Sequence, residues 1–172
     1  MDSSNTDTPS WLDKPLSTYI PKVTFETLLI SILLILAVFS RFYNVDLRVM
    51  SHDEVNHVVP GYSLYRGTGY AYDPVTHGPL QFHLLALSYF VLGDSDFSSR
   101  VPAVLFSIAT IVVVVFGFRR YLGRTGALIA GFLFLISPFM LFYGRYTRNE
   151  VFGGLWTVLV LLGTLRYLEK GE

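Results

Sequence analysis

Apolar stretches of membrane length alternate with short polar segments along this chain, and the alternation sets its elements. Val23 to Ser40 carries a single charged residue, Glu26, while Val101 to Phe118, Thr125 to Gly144 and Val151 to Leu165 carry none. A bilayer core requires about 20 apolar residues of helix. The four runs therefore predict spans at about 23–42, 101–118, 125–144 and 151–168, the last extended to Leu168 with Arg166 snorkelling to the interface. The first lacks a clear small-residue cleavage site and reads as a retained signal anchor. Pro138 predicts a kink in the third, tolerated where a neighbour satisfies the carbonyl it frees.

The stretch Leu80 to Leu92 decides which polar segments share a face. At ~1.5 Å per residue it reaches roughly 20 Å, short of the ~30 Å hydrocarbon core. It also carries Gln81, His83 and Ser88 and follows Gly78-Pro79, a good helix start. We therefore expect an interfacial helix over about 79–92 inside one external loop, 43–100. The Asp53 loop and the turn from Arg145 to Glu150 then lie on one face, with Arg119, Arg120 and Arg124 on the other. Charge counting is nearly neutral on this point: seven basic residues fall inside against six outside, whereas a spanning Leu80 to Leu92 would give eight to five with the Asp53 loop cytoplasmic. The polar segment 1–21 is rich in Ser, Thr, Asp and Pro and predicts a flexible cytoplasmic tail ahead of a membrane domain over 22–172.

Composition agrees with the pattern. The chain is 52% hydrophobic and 16% aromatic, with mean hydropathy +0.47, too apolar for an ordinary soluble domain. An all-α integral membrane protein follows. Thirteen basic residues balance thirteen acidic ones, so no global field favours nucleic acid. The absence of cysteine excludes disulfides, thiolate metal sites and a cysteine nucleophile.

The candidate chemistry centres on Ser51-His52-Asp53-Glu54-Val55-Asn56-His57, just beyond the first span. Ser51 and Glu54 have the spacing of a capping box, with Met50 and Val55 as its hydrophobic staple. The cap accounts for Glu54 but not for Asp53. With Glu150 on the same face and Arg145 and Arg148 close to it in sequence, the set suits a phosphate-linked substrate. A carboxylate, for which Asp53 is the choice, takes a proton from an attacking hydroxyl. Glu54 and Glu150 support it, and Arg145 or Arg148 holds the phosphate. A divalent metal is a candidate cofactor, with Asp53, Glu150 and His57 as ligands; His52 and His57 flank Asp53, but His-Glu-x-x-His is absent. Tyr65 and His77 are further substrate-binding candidates. Plainer readings stand beside these: Asp53 as a solvated neighbour of a cap, Arg145 and Arg148 as headgroup anchors, Glu150 as a favourable charge at a helix amino terminus, and the tyrosines as an interfacial belt.

The ordered set of motifs resembles a family. The Asp53-Glu54 pair, Gly78-Pro79-Leu80, Leu92-Gly93-Asp94-Ser95-Asp96-Phe97-Ser98-Ser99-Arg100-Val101-Pro102, Arg119-Arg120-Tyr121-Leu122-Gly123-Arg124, Ser137-Pro138, Arg145 and Glu150 follow one another as in the protein O-mannosyltransferase and aminoarabinose-transferase superfamily. These are multi-span glycosyltransferases of the GT-C fold, and the similarity runs from about Phe25 to Leu168. Within the superfamily, Thr76-His77-Gly78-Pro79 and Thr147-Arg148-Asn149-Glu150 are most similar to the flippase activity-associated group. The resemblance implies a polyprenyl-phosphate-linked sugar donor and an acceptor protein or glycolipid, with transfer on the extracytoplasmic side of the plasma membrane. It also implies a surface helix at Leu80 to Leu92, Asp53 at the catalytic acidic position, and Glu150 at a second acidic position. The family often has Lys-Pro-Pro where this chain has His77-Gly78-Pro79. Members are several times longer, so the chain reads as an amino-terminal portion lacking the full lipid groove. A non-catalytic partner of a lipid-linked-sugar flippase and a structural membrane subunit are the alternative functions.

Overall fold

The computed structural model describes residues 24–69 and 79–171, and all its regular elements are helices. Helix α1 (Phe25–Phe42) starts at Thr24, whose hydroxyl accepts the Thr27 N–H. A turned segment leads to α2 (His52–Arg66), where the expected capping box is present: the Ser51 hydroxyl accepts the Glu54 N–H, and the Glu54 carboxylate accepts the Ser51 N–H. Gly67, at φ +69°, ends α2 in the left-handed region that favours glycine. Helix α3 (Pro79–Leu92) follows, and then α4 (Asp96–Val112), capped by Ser95 and continuing into a π-helical turn over Val113–Gly117. The last three are α5 (Arg119–Ile136), α6 (Pro138–Tyr143) and α7 (Asn149–Lys170). The predicted tail and His77 lie outside the described residues.

Helix directions follow from the core contacts. Leu33 and Ala37 of α1 pack with Ile111 and Val115 of α4 and Leu135 of α5. Arg41, one turn beyond Ala37, reaches Ser107, one turn before Ile111, so α1 and α4 are antiparallel. Helix α7 runs parallel to α4, with Val151 and Phe152 beside Ala103 and Phe106 at one end and Leu162 against Gly117 towards the other. Glu26 pairs with Arg119 and Arg124, and Arg120 and Tyr121 meet Glu169, all at one end of the bundle. The chain leaves α1 and enters α4 at the opposite end. Helices α2 and α3 therefore lie there, together with the turn before α7.

Phe25–Phe42, Asp96–Gly117 and Asn149–Lys170 are long and apolar enough to cross a membrane. The stretch read as a third span is two helices: α5 breaks at Ser137 (φ −56°, ψ 121°), and Pro138 opens α6. Large apolar side chains face outward on every long helix, among them Ile35, Phe39, Leu105, Phe132, Val160 and Leu161. An outer surface of this kind suits hydrocarbon and not water.

Prolines within the bundle leave carbonyls without helical partners, and neighbouring side chains meet them. Pro102 has no N–H for Ser98, whose carbonyl accepts the Ser88 hydroxyl of α3 at 2.6 Å. Pro138 and the break at Ser137 release the Phe134 and Leu135 carbonyls. Arg41, fully buried, donates to both at 3.0 and 3.1 Å and places its charge at the negative end of the α5 dipole. The kink expected from Pro138 is thus a clean break whose freed carbonyls are met by an arginine of α1, which packs directly against α5.

Helices α2 and α3 make the closest pair at the loop end. A Cβ added to Gly61 would stand 2.7 Å from the Leu85 Cβ, closer than carbon atoms approach. Gly61→Ala is expected to destabilise the protein by about 1–3 kcal/mol, the usual cost of overpacking. Adding Leu85→Ala, which keeps the clashing Cβ and empties part of the core, should not recover the loss of Gly61→Ala alone. Thermal unfolding of the two variants in detergent checks this.

Candidate functional site

Glu54 is the fixed point of the loop end. It lies one turn into α2, its side chain is fully buried, and both of its oxygens are engaged. Oε1 accepts from Arg100 Nε at 2.9 Å and from the Thr147 N–H at 3.3 Å. Oε2 accepts from Arg100 Nη2 at 3.2 Å, Arg48 Nη2 at 2.9 Å and the Ser51 N–H at 3.1 Å. Arg100, itself 1% exposed, turns Nη1 to the carbonyls of Val45 and Arg48. Burial pushes the Glu54 carboxyl up, but the Arg100 hydrogen bond, the Ser51 N–H, the Arg100 charge and the Thr147 N–H together outweigh it. The carboxyl lies below its ordinary value.

Asp53 precedes Glu54 and points the other way, into the open. About half of its side chain is exposed, and its Oδ2 accepts from Arg148 Nη1 at 2.9 Å. Arg148 also meets Glu150 through Nε, at 3.0 Å from Oε1. One guanidinium thus bridges two accessible carboxylates drawn from α2 and from the first turn of α7. Ser51 is tied to the same turn by its hydrogen bond with the Tyr146 hydroxyl.

The sequence candidates divide accordingly. Asp53, Arg148 and Glu150 are brought together. Glu54, expected among the catalytic carboxylates, is buried with both oxygens engaged by Arg100, Arg48, Ser51 and Thr147 and does not face the opening that Asp53 faces. Arg145 stands apart from Arg148: its Nη2 donates to the Tyr43 and Asn44 carbonyls at 2.6 and 2.9 Å. Tyr65 lies three turns along α2 from Asp53, about 18 Å at ~1.5 Å per residue, and packs against Tyr62 and Tyr89. The expected metal set is not assembled. Arg148 occupies the space between Asp53 and Glu150, and the buried His57 ring donates from Nδ1 to the Asp53 backbone carbonyl at 2.8 Å. Among the described residues no three His, Asp or Glu side chains form a group able to hold an ion. Sequence reasoning missed Arg100, Arg48 and Thr147 as partners of Glu54. The available signal was an arginine one turn into a helix that is otherwise apolar, where an unpaired charge is costly.

An all-helical bundle with apolar outer faces and a carboxylate–guanidinium cluster at one end is the architecture of an integral membrane protein with a polar site at its surface. Residues 76–172 match the dolichyl-phosphate-mannose-protein mannosyltransferase family, and the chain belongs to that family, of the GT-C type. The matched region includes Arg100, Arg145, Arg148 and Glu150; Asp53 and Glu54 precede it and join it through Arg148, Arg100 and Thr147. Membership implies a membrane setting and a lipid-linked sugar donor. Comparison with curated proteins and with solved structures gives no match.

Removing one member of a buried ion pair strands the other, so Glu54→Ala and Arg100→Ala are each expected to cost about 3–5 kcal/mol. Because the folded-state pKa of Glu54 is depressed, its contribution is complete above the unfolded value of 4.5 and is lost as pH falls through the lower folded value. Thermal stability in detergent should decline below about pH 4.5. Glu54→Gln should be less stable at neutral pH and show a shallower acid decline, read from melting curves across pH.

Proposed function

We propose that this chain carries the acidic site of a membrane glycosyltransferase. In this reading a sugar passes from a polyprenyl-phosphate-linked donor to an acceptor on the extracytoplasmic face of the plasma membrane, the acceptor being a protein or a glycolipid. The single observation that carries the proposal is the Arg148 bridge, which sets two accessible carboxylates, Asp53 and Glu150, around one cation on a segment matched by the family.

The residues supply the chemistry as follows. Asp53 accepts the proton of the acceptor hydroxyl as its oxygen bonds to the anomeric carbon. The bond from that carbon to the phosphate oxygen breaks, and its electron pair leaves with the lipid phosphate. Arg148 holds Asp53 in place and supplies positive charge where the departing phosphate accumulates negative charge. Glu150 fixes the other side of Arg148. Glu54 acts through its neighbour: anchored to Arg100 and Thr147, it fixes the first turn of α2 and hence the direction of Asp53. Helix α3 is taken as a surface helix flanking the site, and residues 1–21 as cytoplasmic. No step requires a metal, since a carboxylate is the base and a guanidinium meets the phosphate.

Asp53→Asn in the complete membrane-embedded protein is expected to lower sugar transfer by about 10²–10⁴-fold, the range for loss of a general base, with expression and melting temperature kept within a few degrees. Transfer from radiolabelled lipid-linked sugar is the measurement. Unchanged transfer would sink the proposal, and lipid binding without turnover in both proteins would favour a non-catalytic flippase partner. The cysteine-free background offers an independent check: single cysteines at Ser63, Ser95 and the exposed Glu150 should label from outside, and one at Thr125 should not. Labelling of positions 63 and 150 from opposite sides would remove the shared site.

A further inference from the structure

A second basic feature lies beside the Glu54–Arg100 pair, and the transfer reading leaves it unused. Asn44, Val45, Arg48, Arg100, Pro138, Leu141, Phe142 and Arg145 enclose a cavity of about 360 Å³, within the ~300–1,000 Å³ typical of ligand pockets. Three of the eight lining residues are arginines, and among the described residues Glu54 is the only carboxylate paired with any of them. Their positions are fixed. Arg100 is locked by Glu54 and two carbonyls, Arg48 lies over the Phe142 and Tyr146 rings at 5.1 and 5.0 Å, and Arg145 is held by the Tyr43 and Asn44 carbonyls.

The charge here is in excess. Burial pushes the Arg145 guanidinium below its ordinary value, and the Arg100 and Arg48 charges push it further in the same direction. Its Nε is buried with no hydrogen-bond partner, an unmet donor in a cavity already rich in positive charge. The opposite wall is apolar, formed by Pro138, Leu141 and Phe142 on α6, where Phe139 and Phe142 extend outward on the lipid-facing surface. A ligand that fits both walls carries a compact anion on an apolar chain.

We infer that this cavity binds the phosphate ester headgroup of a membrane lipid, with the phosphate between Arg48, Arg100 and Arg145 and the acyl or prenyl chain leaving along α6. The site is separate from the Asp53–Arg148–Glu150 cluster and stands whether or not that cluster transfers sugar. Two lipids share the chemistry, a bulk anionic phospholipid and the polyprenyl phosphate left once the sugar has departed, and only the second assignment rests on the transfer reading. Three guanidinium groups offer a phosphate the charge-assisted hydrogen bonds that arginine makes best.

The test is native mass spectrometry of the detergent-solubilised full chain, titrated with phosphatidylglycerol, a polyprenyl monophosphate, or inorganic phosphate. Wild type is expected to retain one lipid of either phosphate class. Arg145→Gln should bind about tenfold more weakly, the loss of one charge-assisted hydrogen bond, while Arg145→Lys should recover part of the affinity. Arg166→Gln, towards the far end of α7 and outside the cavity lining, should bind as wild type does, and size-exclusion profiles establish that each variant is folded. Tighter binding of the polyprenyl phosphate assigns the cavity to the carrier lipid released by transfer, and equal binding assigns it to bulk lipid; both support the site. Equal affinity in wild type and folded Arg145→Gln, an equal loss of affinity in Arg145→Gln and Arg166→Gln, or retention of inorganic phosphate in place of lipid would each overturn it. Binding is read without turnover, so failure here is distinguishable from failure of Asp53→Asn to impair transfer.

Discussion

The buried ion pair between Glu54 and Arg100 is the constraint on which the loop end of this protein depends. Two charges withdrawn from solvent cost several kcal/mol each, and the cost is met only when every remaining lone pair and proton finds a partner. Here the partners come from four places in the chain: Arg48, Ser51, Arg100 and Thr147 all converge on one carboxylate. The turn after α1, the start of α2, the start of α4 and the turn before α7 are thereby pinned to a single point. The accessible chemistry inherits its geometry from that point. Glu54 meets Thr147 while its neighbour Asp53 meets the next residue, Arg148, so two adjacent contacts hold α2 against the turn, one buried and one open.

The bundle treats arginine in two ways. Arg100 is matched by a carboxylate, whereas Arg41 is matched by the carbonyls of a broken helix, without an ion pair among the described residues. Both solutions meet the requirement that polar groups removed from water be hydrogen-bonded. The Ser88 hydroxyl does the same at Pro102, and in doing so ties α3 to α4. Proline in this protein thus creates acceptors that dock neighbouring elements as well as bending helices.

Much of the architecture was legible in the sequence because membrane length and capping are local signals. The run of apolar residues marked each long helix, Gly78-Pro79 marked the start of α3, and Ser51 with Glu54 marked that of α2. The placement of Asp53 beside Glu150 was legible only through helix directions, and the antiparallel packing of α1 and α4 supplies them. What sequence could not separate was Asp53 from Glu54. They are adjacent and chemically alike, yet a rotation of roughly 100° about the helix axis turns one outward and the other onto an arginine 46 residues away. Long-range partners of this kind leave no periodicity to read. The division of labour between Arg145 and Arg148 escaped for the same reason.

Arg41 also bears on how the chain is made. Its acceptors, the Phe134 and Leu135 carbonyls, lie 93 and 94 residues further along. At ~5–20 residues per second, on the order of 5 to 20 s separate synthesis of the arginine from synthesis of its partners. During that interval the last turn of α1 lacks the carbonyls that meet its charge in the finished bundle. Assembly therefore has an order: α1 is made first but completes its packing only when α5 has followed.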